Sequence, residues 1–534
     1  MIRFGTSPEG RPMVGLLIST EGAFTPERVR RSKRPFVIVN NGIHSGEIEG
    51  KDASLILARE ILITRSEVAL GKGANLLIVP VFSCDAHERF GPYNRINQNG
   101  PREMGWRATA NNLNLNRDFI KADGGEMKAM LRLLHTWKPD FFFDNHTTDG
   151  ADFQYVVQLQ VPVAQSQDGE IAQWSKAMWD IVSKQVEQDG FLNAPYFNLV
   201  DRSDPAKGIS IGDFGPRYST GYLAAMNRPA MLVETHVLKP YEPRVRATYS
   251  VVKRTIEACI RYGPNLKLAI RNADARAAQT RPGQPVVLEA DLTEARRPFL
   301  FKGLEYTPIE SSISGSKVAQ WSRTPIAIPS FIRDSYEASL RLPAPAAYAI
   351  PPQWTEAIER AKLHGLRSFR TNQAVTDSFE SLRFDDVKFP TAPFESRFMP
   401  SFKTARVVER RTLIPGTVVV PIAQPGAKLA MHLFEPEAPD SLVRWGFFNV
   451  VFEQKEYGED YAIEPMARKM LASNPALKAE FERRLREDPQ FAASPQARLQ
   501  FFYRRSPYWD DRLNKYPVVR LSAEQLAALR RISR

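Results

Sequence analysis

The chain has little of what small secreted domains and membrane proteins depend on. Its 534 residues include only two cysteines, Cys84 and Cys259, which allow one disulfide at most and exclude a disulfide framework or a thiolate metal cage. No stretch approaches the roughly 18 consecutive apolar residues of a membrane-spanning helix, and the opening Met1-Ile2-Arg3-Phe4-Gly5 has no apolar signal core. Like charges do not cluster either. The net charge is +12, yet lysine and arginine are scattered among aspartate and glutamate, so the surface suits a mild attraction for anionic groups and not a nucleic-acid track. Repeats and low-complexity segments are absent as well. What is present is 43% hydrophobic residues, with aromatics making up 10% of the whole chain, enough for two or three globular domains of roughly 100 to 200 residues each.

The first half alternates short β-rich apolar runs with helical periodicity, the pattern of an α/β sheet protein. Phe36 to Val39 reads as a buried strand ending at Asn40-Asn41-Gly42, and Glu47 to Leu62 as an amphipathic helix. A second strand is expected at Asn75 to Phe82. Met127 to Trp137 reads as a helix stopped at Lys138-Pro139, after which Phe141-Phe142-Phe143 forms a strand that carries Asp144, Asn145 and His146 to its C-terminal end. Ala230 to Val233 is another strand, with Glu234 at its end. From about residue 271 prolines become frequent and short β runs such as Pro285 to Leu292 and Gly416 to Ile422 appear. The texture predicts three regions: 1–270 as an α/β domain, 271–435 as a β-rich accessory domain, and 436–534 as a helical region.

Polar residues at the carboxyl ends of buried strands are where open α/β sheets place their sites. His44-Ser45-Gly46-Glu47 follows a strand and opens a helix, so an imidazole and a carboxylate share the mouth of the sheet. Zinc in hydrolases takes three protein ligands from His and Glu and keeps a fourth position open, and His146 is the best second imidazole. An isolated His-x-x-Glu pair is equally compatible with a helix start carrying a stabilising acid. Asn114-Leu115-Asn116-Arg117-Asp118-Phe119 lies between the two candidate metal segments.

In order and spacing, His-x-Gly-Glu, Asn-Arg-Asp-Phe, a strand ending in His and a strand ending in Glu resemble the zinc carboxypeptidase family over roughly residues 5 to 265. The resemblance implies a mixed eight-stranded twisted sheet with helices on both faces. It implies one zinc ion per chain on His44, Glu47 and His146, with Glu234 as general base. Asn116 and Arg117 match the pair that grips a substrate's terminal carboxylate, a guanidinium meeting a carboxylate through a planar fork. Arg107 matches the oxyanion-stabilising arginine by its spacing, and Tyr218, rather than Tyr222, is taken as the tyrosine that caps the substrate. The partner so implied is the C-terminus of a peptide or protein. A deacylase, a cell-wall peptide peptidase or a non-catalytic zinc- or peptide-binding module on the same fold are the alternatives. Oligomeric state is left open, and the compartment too: periplasmic or secreted, should the chain be a shortened form of a longer protein.

The chain departs from the family at two places. Ser83-Cys84-Asp85-Ala86 keeps only the Asp of the usual Asn-Pro-Asp-Gly, and Asn114 stands where relatives often carry an Asp that would orient a zinc-ligating histidine. An amide there removes a charged acceptor. His236, His87, His135, His364 and His432 are expected to be structural.

Overall fold

The computed structural model describes residues 1–202 and 204–533. One twisted mixed sheet is built from β1 (Ile2–Thr6), β2 (Pro12–Ile18), β3 (Phe36–Asn41), β4 (Asn75–Val79), β5 (Phe141–Thr148), β6 (Val157–Gln160) and β7 (Asn193–Pro195). Two short strands, β8 (Phe197–Leu199) and β9 (Ile209–Ile211), pair elsewhere, and β10 (Ala230–His236) completes the sheet. The order is β1-β2-β4-β3-β5-β10-β6-β7, eight strands as expected. The four central strands are mutually parallel, while β2 and β6 run antiparallel to their inner neighbours.

The central strands are apolar nearly throughout because both sheet faces are covered. Alternation then sends successive residues into two cores. Val37, Val39, Phe141 and Phe143 pack with Val251 and Ile256 of the helix Tyr241–Arg261. Phe36, Ile38 and Phe142 pack on the opposite face with Met130 and Leu134. That second core does not stop at the sheet: it runs on through Tyr348, Ile350, Val420 and Trp445.

The remaining strands are β11 (Pro285–Leu292), β12 (Arg297–Glu310), β13 (Lys317–Arg333), β14 (Tyr336–Pro343), β15 (Ala347–Ile350), β16 (Phe369–Arg370), β17 (Val375–Lys388), β18 (Ser401–Leu413), β19 (Val418–Pro421) and β20 (Val519–Leu521). A six-stranded sheet has the order β16-β19-β15-β20-β17-β18, and β12 and β13 join β9 and β8 in a four-stranded sheet. The regions expected from composition are therefore interleaved. The helix Gly263–Ala278 runs through the boundary placed at 270, and β20 carries the region 436–534 back into the middle of the accessory sheet. The helices between Asp460 and Tyr503 pack as a cluster of their own, around Phe481, Phe491 and Phe501. Both cysteines are free. Among the described residues no helix is long and apolar enough to cross a membrane.

Candidate active site

After β3 the chain turns through Gly42, at a φ of +65° that glycine adopts without strain, and brings His44 and Glu47 over the strand ends before the helix Glu49–Leu62 begins. Gly46 has no room for a side chain, since a Cβ there would stand 2.7 Å from Arg95 and 2.9 Å from the Gly105 carbonyl oxygen. This close approach lets the 95–107 loop roof the site. In the parallel pairing of β5 with β10, His146 stands directly beside Glu234, so both point to the same side of the sheet.

The two imidazoles and the carboxylate converge. His44 Nδ1 is 3.1 Å from Glu47 Oε1 and His146 Nδ1 is 3.0 Å from Glu47 Oε2. One ligand atom from each of the three lies within 4.8 Å of the others, and all three residues are buried. The outer nitrogens are held as well: His44 Nε2 donates to Asn114 Oδ1 at 3.0 Å, and His146 Nε2 lies 3.1 Å from Asp144 Oδ2. Such outer partners fix ring orientation and the nitrogen left for a metal. Two imidazoles aimed through the same ring atom at a buried carboxylate form the donor set that suits zinc. Burial works against charge on Glu47, but His44, Arg95 and His146 outweigh it and hold its carboxyl well below the usual range.

Asn114 thus stands at the departure noted in the sequence, and its amide does contact His44. The carboxylate of this arrangement is on the other histidine: Asp144 accepts from Ser219 Oγ at 2.6 Å and Asn40 Nδ2 at 3.1 Å while it faces His146. Asp144 was readable from the sequence, because a residue two positions before His146 on a strand shares its face.

Glu234 is 7% exposed, and no hydrogen bond or ion pair reaches its carboxyl among the described residues. Burial pushes it up to about 8, against the pull of the His146 imidazole. A cavity of about 260 Å³ opens above it and is lined by all eight of the expected site residues, from His44, Glu47 and His146 to Glu234. Arg107, Asn116, Arg117 and Tyr218 form the outer wall. Arg117 donates to the Asn116 carbonyl at 2.8 Å and lays its guanidinium on the Tyr218 ring, 4.6 Å from the centroid. Tyr222 is away from the cavity, wedged between His135 and His364 with 2.8 Å hydrogen bonds to each. His236 is buried against Phe153 and bonds to the Ala151 carbonyl. Asp85 stitches the N-terminal hairpin by accepting from Ser7, Arg11 and the Glu9 amide.

Among the lining residues that were not foreseen, Arg95, Tyr196 and Phe214 matter most. Arg95 Nη2 is 2.7 Å from Glu47 Oε1, nearer than Arg107 Nη1 at 3.7 Å. Tyr196 and Phe214 stack with centroids 6.0 Å apart and give the cavity an aromatic side. No motif marks them, since they come from loops that only the fold brings together.

A His-Glu-His donor set, a buried acid unpartnered among the described residues and a guanidinium-amide pair in one cavity fit the class of metal-dependent hydrolases. Residues 1–169 match the family model described as zinc carboxypeptidase. The chain is similar to carboxypeptidase 2 of Trichophyton rubrum, 22% identical over 83% of this chain and 79% of the relative, and to carboxypeptidase 2 of Trichophyton equinum, 21% identical over 83% and 79%. A metallo-carboxypeptidase from Burkholderia cenocepacia aligns with 49% of this chain and 64% of its own, at 16% identity and a TM-score of 0.36. Carboxypeptidase A from Helicoverpa armigera aligns with 49% and 69%, at 15% identity and a TM-score of 0.37.

Proposed function

We propose that this protein is a carboxypeptidase that removes the C-terminal residue of peptides, with one zinc ion per chain held by His44, Glu47 and His146. The observation that carries the reading is Glu234, a buried carboxyl without a partner, on the same side of the sheet as the metal-binding histidine and in the same cavity as Arg117. Zinc bound there would supply Lewis acidity toward the scissile carbonyl and acidify water near neutral pH.

The residues divide the remaining work. Arg117 and Asn116 receive the terminal carboxylate, and the stacking of Arg117 on Tyr218 pre-orients the guanidinium. Glu234 accepts a proton from the attacking water and returns it to the departing amine. Arg107 donates to the oxygen that gains charge as the carbonyl becomes tetrahedral. Tyr196 and Phe214 exclude water around the side chain that leaves.

Metal analysis together with amino-acid release from a mixed peptide panel tests the reading. Zinc near one per chain is expected for both the parent and Glu234→Gln, with release lowered roughly 100-fold to 10,000-fold in the variant. Release from N-acyl amino acids but from no peptide would replace the peptide substrate with a small amide, and zinc without any release would end the enzymatic reading.

A further inference from the structure

The segment 213–221 that carries Phe214 and Tyr218 is a wall with two sides. One side faces the candidate active site, and the other faces a second cavity of about 280 Å³, near the lower end of the roughly 300 to 1,000 Å³ typical of ligand pockets. The catalytic sheet's domain supplies Ser166 and Asp213, the helix Ala427–Phe434 supplies Lys428 and His432, and β11 supplies Leu288 and Glu289. None of these residues belongs to the chemistry described above.

The cavity's polar groups have unused bonding capacity. His432 is 4% exposed and its Nδ1 has no hydrogen-bond partner. Asp213 takes its neighbour Ser166 through Oδ2 while Oδ1 is buried and unpartnered. Lys428 spends one of its three donors on the Ser166 carbonyl, at 2.8 Å. Unsatisfied buried polar atoms are costly in a folded protein, and here they are a donor set and an acceptor set on walls of one small space. Burial pulls the Lys428 ammonium down to about 8 and raises the Asp213 carboxyl, so a charged ligand would stabilise the ionised form of each. Leu288, Phe214 and Pro439 form the apolar remainder of the lining.

We propose that this cavity binds a free apolar α-amino acid, its carboxylate on Lys428 and His432 and its ammonium on Asp213 and Glu289. The proposal rests on the carboxypeptidase reading for one point, that a free α-amino acid is what the reaction releases. The binding itself stands on the cavity's groups. A bound amino acid presses on the back of the wall that holds Tyr218 and Phe214 and so couples product level to the active site.

Equilibrium dialysis of labelled L-leucine against the zinc-loaded full chain tests this without turnover. In Arg117→Met, which removes carboxylate capture in the active site, one leucine per chain is expected to remain bound. Adding Lys428→Met or Asp213→Asn to that variant is expected to weaken it about tenfold or more, the loss of one charged hydrogen bond. The same two substitutions placed singly in the parent are expected to lower its stoichiometry by one, which guards against a misfolded double variant. No binding to Arg117→Met, or binding indifferent to both cavity substitutions, overturns the second site. Retained, cavity-dependent binding in a chain that releases no amino acid from peptides would uphold the site and count against the carboxypeptidase reading alone.

Discussion

Glu234 on β10 and Glu435, just beyond the helix Ala427–Phe434, are both buried carboxyls packed against a sheet, and they are treated in opposite ways. Glu435 is fully buried and accepts from the Tyr348 hydroxyl and the Arg520 guanidinium, which ties β15 to β20 across the accessory sheet. Glu234 has an imidazole beside it and no hydrogen bond among the described residues. Burying a carboxyl is unfavourable unless it is bonded, so the accessory sheet has met that cost with a structural network while the catalytic sheet has left it standing. The difference teaches that a buried acid marks chemistry only when its partners are missing; burial alone says nothing.

Exchanging each acid for its amide breaks the comparison if it is wrong. Glu234→Gln should lose roughly two to four orders of magnitude in turnover with an unchanged or slightly higher unfolding free energy. Glu435→Gln should do the reverse, losing about 1–3 kcal/mol of stability because Arg520 gives up its buried carboxylate and keeps only Glu380, 2.8 Å from its Nε, with turnover per folded molecule preserved. Denaturant titration and initial rates on the same samples read both. Equal stability losses in the two variants would show that Glu234 is a structural acid like Glu435.

A finer contrast lies between the two histidines, one with an amide behind it and one with a carboxylate. Asp144→Asn is expected to lower zinc affinity about 10-fold to 100-fold in chelator competition, and Asn114→Asp to change it by less, because the His146 side already carries the charge. If Asn114→Asp strengthened zinc binding more than Asp144→Asn weakened it, the carboxylate behind His146 would not be compensating for the amide behind His44.

The catalytic half was legible where a functional residue lies at or just after the end of a buried apolar strand, as His44, His146 and Glu234 do, while Arg107, Asn116, Arg117 and Tyr218 come from the connections and were reached only through the resemblance. Phe141 to Phe143 announces β5, and His146 follows at its end; Ala230 to Val233 announces β10, and Glu234 follows. The accessory half was legible as short strands and not as an arrangement. β17 and β18 are solvent-exposed over much of their length, so their sequences lack a clean apolar face. β20 is a three-residue strand whose place depends on β15, about 170 residues earlier in the chain and antiparallel to it. Nothing local reports such a pairing. A boundary at 270 falls inside the helix Gly263–Ala278, which buries Leu266 and Ala273 in the catalytic core, and proline-rich texture begins only after that helix ends.

The smallest expected effect concerns how the two halves hold one another. The tip of the β17–β18 hairpin is a two-residue turn, Glu395-Ser396, both at positive φ, closed by paired backbone hydrogen bonds between Phe394 and Arg397 and braced by contacts outside the hairpin. Those contacts reach the loop that carries Asn116 and Arg117. Arg397 grips Asp123 through bonds of 2.7 and 2.8 Å, and Glu395 accepts from the Asn114 amide at 3.3 Å. Burial opposes the charge on Asp123, yet Arg397 and Lys121 outweigh it and hold the carboxyl at about 2, below the ordinary 3.8. A depressed folded-state value means stability that is complete above 3.8 and lost as pH falls through about 2. Asp123→Asn should therefore cost about 2 kcal/mol near neutral pH, and the gap between parent and variant should narrow as pH falls from 4 toward 2. Because the turn braces the loop and not the chemistry, the variant should raise KM for peptides by a few fold and leave kcat nearly unchanged. A fall in kcat with KM unaffected would instead mean that the accessory hairpin reaches the metal through Asn114 and His44.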